Sequence, residues 1–354
     1  MKISIGTNIK EGPWGGGNLF AINLKRFLIQ KGHDVVFDLD DEDIDIILLT
    51  EPRKTSESSA YTQKECIDYK KYVKHDTIVI HRINECDERK NTNFVNKYMI
   101  FANKVADYTV FVSTWLKNLY LSQGLENHNL STILGGADGD IFNRSNFNKF
   151  NGQGKIKLVT HHWGANWNKG FDVYSKLDFL LYEKKWSEVF EFTYIGNLPK
   201  NFQFNNVKYV KPLAGADLAK ELSKHNLYIT ASINEPSGNH HMEGGLCGLP
   251  LMYVDSGGIT EYCKDYGLAF DIDSLESKIL YFKKNFKTYN DKMKVYPFTS
   301  NQMCENYLNL FIKAYSNKDK SKKFNSTQVE RKIYNLKKRI NSFNNKISNH
   351  FPVK

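Results

Sequence analysis

Along the first half of the chain, short apolar runs alternate with longer stretches whose apolar residues recur every three or four positions. Lys2-Ile3-Ser4-Ile5 reads as an opening strand. Leu19, Phe20, Ile22, Leu24, Phe27 and Leu28 keep helical spacing, which predicts a helix from Leu19 to Lys31 that Gly32 stops. Val35-Val36-Phe37, Ile44–Leu49, Thr77–Ile80, Val110–Val112 and Ser131–Leu134 read as further strands, the one from Thr77 ending at His81. A polar segment rich in Asn, from Asn143 to Gly154, reads as a linker. The alternation then restarts: strands at Ile156–Thr160, Phe192–Ile195, Val207–Val210, Leu227–Thr230, Leu251–Val254 and Leu268–Phe270, with a helix from Leu218 to His225. Such alternation predicts parallel sheets with helices on both faces, in two α/β domains over residues 1–150 and 151–316.

The end of the chain follows another rule. Asn301 to Tyr315 reads as a helix, and Lys318 to Ser326 as a charged hinge. Beyond it Val329, Ile333, Leu336, Ile340, Phe343 and Ile347 are spaced four, three, four, three, four, which is a heptad seam. The net charge of +10 belongs here: from Lys313 onward there are 12 Lys and Arg against Asp319 and Glu330, and the rest of the chain carries 37 of each sign. Nucleic-acid binding by the body of the protein loses its support by this count. Residues 317–354 are thus a basic helical tail, with Arg331, Lys332, Lys337, Lys338 and Arg339 beside the seam. It suits self-association as a coiled coil, an anionic membrane surface, or packing on its own protein.

A length of 354 residues exceeds one comfortable core, in keeping with two domains. The five cysteines, Cys66, Cys86, Cys247, Cys263 and Cys304, form no CxxC pair, so neither a disulfide framework nor a zinc site is expected, and a reducing compartment fits. The first residues lack the apolar stretch of a signal peptide, and no run of about 18 apolar residues is long enough to span a bilayer. A cytoplasmic protein is expected, soluble or peripheral at the inner face of a membrane.

Chemistry concentrates in Glu235-Pro236-Ser237-Gly238-Asn239-His240-His241-Met242-Glu243, between a strand and a helix. Pro236 and Gly238 keep Glu235 on the loop, and Glu243 falls one turn into the helix. Free backbone amides of Ser237, Gly238 and Asn239 would face whatever lies between the two acids, and such a helix start holds anions. A diphosphate flanked by two hydroxyl-rich sugars would use all of these features.

This segment resembles the donor-binding signature of retaining GT-B glycosyltransferases, family 4 in particular. The matching features are Glu235 and Glu243, Gly248-Leu249-Pro250, and Gly257-Gly258-Ile259-Thr260-Glu261. The resemblance covers roughly residues 1–315 and implies two Rossmann-like domains facing each other across a cleft, the first for the acceptor and the second for the donor. It implies that Glu235 contacts the transferred sugar and Glu243 the ribose hydroxyls of a nucleotide-sugar donor. Lys169, before Gly170, looks like the cation on the diphosphate, which would stabilise the leaving group. Gly15-Gly16-Gly17 resembles the loop that approaches the diphosphate or acceptor, where only glycine lets backbone come close. His81, at a strand end, resembles a histidine near the sugar.

Two positions depart from the pattern. Gly164 stands where an arginine is usual, five residues before Lys169; His161, His162, Trp163, Asn166 or Arg82 is expected to compensate. Gly244-Gly245 replaces larger residues and would let its helix approach the sheet closely. The pairs His161-His162 and His240-His241 suggest a metal, but nothing supplies a consistent third ligand, so none is expected. No cofactor is expected beyond the donor itself. The expected function is retaining, metal-independent sugar transfer, with the diphosphate itself assisting the acceptor hydroxyl. The rivals are a GT-B epimerase or phosphorylase, a non-catalytic sugar-nucleotide-binding scaffold, and nucleic-acid binding through the tail.

Overall fold

The computed structural model describes residues 1–10, 15–147, 150–318, 326–336 and 338. Strands β1 (Lys2–Ile5), β2 (Asp34–Val36), β3 (Ile46–Leu49), β4 (Ile78–Ile83), β5 (Tyr108–Phe111) and β6 (Leu130–Thr132) form a parallel sheet in the order β2-β1-β3-β4-β5-β6. Its helices are α1 (Gly16–Gln30), α2 (Gln63–Tyr72), α3 (Asp87–Lys90), α4 (Val95–Asn103) and α5 (Thr114–Ser122). The second sheet holds β7 (Ile156–His162), β8 (Phe190–Gly196), β9 (Lys208–Val210), β10 (Leu227–Thr230), β11 (Leu251–Val254) and β12 (Gly267–Phe270), in the order β12-β11-β10-β7-β8-β9, again parallel. It is accompanied by α6 (Phe171–Tyr182), α7 (Lys184–Ser187), α8 (Gly215–Leu222), α9 (Asn239–Leu246), α10 (Ile259–Cys263), α11 (Leu275–Lys284) and α12 (Phe286–Lys292); α13 (Ser300–Ser316) follows.

Central strands covered on both faces read as continuous apolar runs. β3, Ile-Ile-Leu-Leu, is buried at every residue. The helices bury one face each: α1 does so with Phe20, Ala21, Leu24, Phe27 and Leu28. A reciprocal box between Thr62 and Glu65 starts α2 by satisfying amides that the first turn leaves open. All five cysteines are buried free thiols.

Three boundaries differ from the sequence reading. The strand expected to end at His81 runs through Ile83. Leu49 of β3 pairs with His81, and Val110 and Phe111 of β5 pair with Arg82 and Ile83, so the ladder carries two polar side chains inside. The helix expected from Leu19 starts at Gly16, which puts Gly15 at its cap and Gly16 and Gly17 in its first turn. α13, expected with the second domain, packs on the first: Met303, Cys304, Tyr307, Leu308, Leu310, Phe311 and Ala314 share a core with α1, β1, β3 and β4. Each large apolar side chain fully buried contributes about 1.5–3 kcal/mol, which makes this return a firm anchor. On its way back the chain runs beside the outgoing crossover, where Ala137 and Thr299 form an isolated parallel bridge.

A basic helix over 328–336 follows, and no described helix is long and apolar enough to cross a membrane. It docks on the first half: Tyr334 stacks on Tyr72 at 4.7 Å, and the Ser326 hydroxyl donates to the Lys71 carbonyl at 2.5 Å. Val329, Ile333 and Leu336 of the seam are exposed. Ile340, Phe343 and Ile347, together with Lys337 and Arg339, lie outside the described residues, as does Gly12-Pro13-Trp14.

Candidate functional site

The site is built at the carboxyl end of the second sheet, where ligands of open parallel sheets bind. β10 leads into Asn234, whose backbone is left-handed at φ 52°, and then Glu235. The Gly-Gly of the signature fixes this loop from behind. The Gly258 amide donates to the Glu235 carbonyl at 2.9 Å. Gly257 sits at φ 66°, and a Cβ there would lie 2.6 Å from the same carbonyl, so both backbone angle and clearance require glycine.

Glu235 is 2% exposed and holds two cations, one on each oxygen. Lys169 Nζ lies 2.5 Å from Oε2, and Arg89 Nε 3.2 Å from Oε1. Burial alone would push this carboxyl up, but Arg89 and then Lys169 outweigh it and hold it down at about 2. Lys169 is placed by a single turn of 3-10 helix at Trp167–Lys169, after which Gly170 enters α6.

The second acid, Glu243, lies one turn into α9 and is buried; its Oε2 is 2.7 Å from His161 Nε2. His161 Nδ1 lies 3.1 Å from the Tyr228 hydroxyl, so both ring nitrogens are committed. His162 and His240 are likewise engaged, by Tyr174 at 2.8 Å and Thr230 at 2.8 Å, and burial drives both well below the ordinary imidazole range. His241 differs. It is fully buried, neither ring nitrogen has a hydrogen-bond partner, and burial pushes it to about 3 against the pull of Glu235. Gly244 and Gly245 press directly on the rings of Tyr228 and Tyr296, leaving no room for a Cβ.

No side chain caps the start of α9, so its first amides are open to a ligand. Facing it is the start of α1: a Cβ on Gly16 would stand 3.1 Å from Asn239 Oδ1, whereas Gly15 and Gly17 have open space. Gly16 and Asn239 therefore meet across the boundary between the halves. The Ser237 hydroxyl lies 2.9 Å from the Tyr262 hydroxyl.

Several contacts that the sequence reading did not foresee knit the halves together here. The Tyr262 hydroxyl donates to the Val112 carbonyl at 2.8 Å and accepts from the Gly135 amide at 2.8 Å. Glu261, the last residue of the signature, accepts the amides of Thr114 and Trp115 at 2.9 Å each, so it caps α5 of the opposite half. The side chains of Asn168 and Asn234 donate to the carbonyls of Arg89 and Glu88, both at 3.3 Å. No local pattern announces these contacts; Thr114 and Glu261 are 147 residues apart.

His81 is not at a strand end and has no exposed surface: Asn103 Nδ2 lies 3.0 Å from its Nδ1, and burial lowers it to about 3. Arg82 lies over the Phe20 ring at 4.0 Å rather than on Glu235. None of His161, His162, Trp163 and Asn166 brings a cation to Glu235; the guanidinium there is that of Arg89. Among the described residues, no group of three His, Cys, Asp or Glu is arranged to hold a metal.

Neither a family model nor a curated protein matches the sequence. Solved structures do. HepE of Anabaena in complex with UDP and glucose superposes with a TM-score of 0.63 at 12% identity, over 88% of this chain and 99% of that one. A glycosyltransferase from Rickettsia africae gives 0.62 at 14%, over 89% and 98%. The pneumococcal O-GlcNAc transferase GtfA, with UDP and GlcNAc, gives 0.56 at 16%, over 84% and 60%. At these identities the likeness establishes the fold: two α/β halves in the GT-B arrangement.

Proposed function

We propose that this protein is a glycosyltransferase that moves a sugar from a nucleotide-activated donor to an acceptor hydroxyl with retained configuration and without a metal. One observation carries the reading. Lys169 and Glu235 are paired in a buried position beside the uncapped start of α9, and Gly16 of the other half stands against that start. In this reading Lys169 and the α9 amides take the diphosphate, Glu235 orients the sugar, and Glu243, steadied by His161, takes the ribose hydroxyls. The acceptor, a glycan, a lipid or another hydroxyl compound, would enter from the first half. His81 would act only from behind the site, since its ring is enclosed. UDP and glucose in the HepE complex, and UDP and GlcNAc in that of GtfA, support a nucleotide-sugar donor for a chain of this fold. The basic tail is proposed to hold the enzyme at an anionic membrane surface on the cytoplasmic side.

A thermal-shift screen of nucleotide sugars identifies the donor, because a ligand of the folded state raises its stability. With that donor, Lys169→Ala and Glu235→Ala should each lower transfer or donor hydrolysis by about 10²–10³-fold. NMR of the product anomer tests retention, and unchanged turnover in chelator tests metal independence. Donor binding with no turnover towards water or any acceptor would favour the non-catalytic scaffold instead.

A further inference from the structure

Five charged side chains meet where α3 of the first half touches the donor loop of the second. Arg89 lies on Glu235 Oε1 at 3.2 Å and on Glu85 Oε1 at 3.3 Å; Lys169 lies on Glu235 Oε2 at 2.5 Å and Lys90 on Glu85 Oε2 at 2.6 Å. Three cations thus share two carboxylates. Glu235 and Glu85 balance Arg89 and Lys169, whose side chains are 28% and 10% exposed, and Lys90, 46% exposed, adds the excess positive charge at the water-facing edge. A cluster with one positive charge in excess at the boundary of the halves favours an anion beside it.

Arg89 is also placed, not merely near. Its carbonyl accepts from Asn168, the residue before Lys169, and the Glu88 carbonyl accepts from Asn234, the residue before Glu235. The two residues that position the site's ion pair therefore also position the turn that delivers the guanidinium. Gly164 leaves room beside the other cation: a Cβ there would make an ordinary 3.4 Å contact with Lys169 Cε. Position 164 thus borders the Lys169 side chain, the other neighbour of Glu235.

We propose that Arg89, supplied by the first half, is the second cation on the donor diphosphate, in place of the side chain that Gly164 lacks. This rests on the nucleotide-sugar reading of the site. Guanidinium and ammonium then approach the diphosphate from opposite halves, Arg89 exchanging one of its carboxylate contacts for a charge-assisted bond to a phosphate oxygen. Tight donor binding is thereby coupled to the closed arrangement of the halves.

Titration with UDP, the nucleotide in the HepE and GtfA structures, tests this, with uridine as the phosphate-free control. Arg89→Ala should weaken UDP by about ten- to a hundredfold, the range of one charge-assisted contact, and leave uridine unchanged. Arg89→Lys should recover part of the loss and Arg89→Ala with Gly164→Arg most of it. Arg89→Gln, which keeps the side chain's bulk, should repeat the loss while the circular-dichroism spectrum and a cooperative melt are retained, which guards against a folding defect. If Arg89→Ala binds UDP as tightly as the unaltered protein, or tighter, Arg89 only latches Glu235 and the assignment falls. A parallel loss for uridine that Gly164→Arg does not restore makes its role structural and also overturns it. An unaltered protein that binds no nucleoside diphosphate sinks the donor reading itself, and this assignment with it.

Discussion

At the scale of single residues, the site is dominated by charge and by histidines taken out of water. Glu235 keeps its charge because two cations outweigh its burial, so its contribution is complete above its ordinary value of 4.5 and fades only as pH falls towards about 2. The histidines respond sooner. His81 and His241 sit at about 3 and His225 at about 4, all lowered by burial from 6.5. Below 6.5 the unfolded chain takes up protons that the folded one refuses, so their stabilisation is complete above 6.5 and is lost as pH falls. The limiting slope is about 1.4 kcal/mol per pH unit for each such group. A Tm scan should therefore decline between pH 6.5 and 4.5, well before Glu235 titrates, and His241→Phe should flatten the decline. A Tm constant over that interval would mean that these rings are charged or hydrated in the folded protein.

At the scale of elements, the halves meet through helix ends and short turns. Glu261 ends the signature, and its carboxylate closes the amino terminus of α5 across the boundary. A carboxylate there satisfies two open amides and meets the positive end of the helix dipole, worth about 1 kcal/mol. Glu261→Ala should lower Tm by about 1–2 °C and raise the donor KM more than it lowers kcat, since it loosens closure and touches no reacting group. In the proposed transfer reaction, a KM identical to that of the unaltered protein would place Glu261 outside donor binding. The same elements show what the sequence could disclose. Glu235 and Glu243 were legible because one loop and one helical turn carry both, and the β-strands because buried parallel strands are uninterrupted apolar runs. The course of β4 past His81 was not, because a polar His-Arg pair reads as a strand end until Asn103 and the Phe20 ring are seen to receive it. Arg89, Tyr262 and the cross-boundary contact of Glu261 were hidden for a related reason. Each acts on the other half, and spacing along one segment carries no record of a surface built by another.

At the scale of the whole molecule, the described chain crosses between its halves twice, and α13 and the helix over 328–336 lie on the first. α13 is bound there by seven buried side chains, and Lys318 beyond it pairs with Asp76 at 2.8 Å. The basic helix that follows leaves this anchored body, touches α2 through Tyr334, and turns Val329, Ile333 and Leu336 outward. Exposed apolar residues beside Arg331 and Lys332 are costly in water but suited to the boundary of an anionic bilayer. Each basic residue near such a surface contributes roughly 1 kcal/mol, and that part of the attraction weakens with salt. Truncation after Lys318 should therefore abolish co-sedimentation with phosphatidylserine vesicles, leave Tm nearly unchanged and keep the proposed donor hydrolysis in solution within about twofold, because the anchor on the first half is retained. The intact protein should dissociate from the same vesicles as salt rises from 0.05 to about 0.5 M, where screening shortens to a few ångströms. If the intact chain ignores vesicles but sediments as a dimer that the truncation dissolves, the outward seam pairs with a second copy, against the repulsion of two basic helices. If neither happens, Val329, Ile333 and Leu336 await no partner, and the tail's charge is spent in solvent.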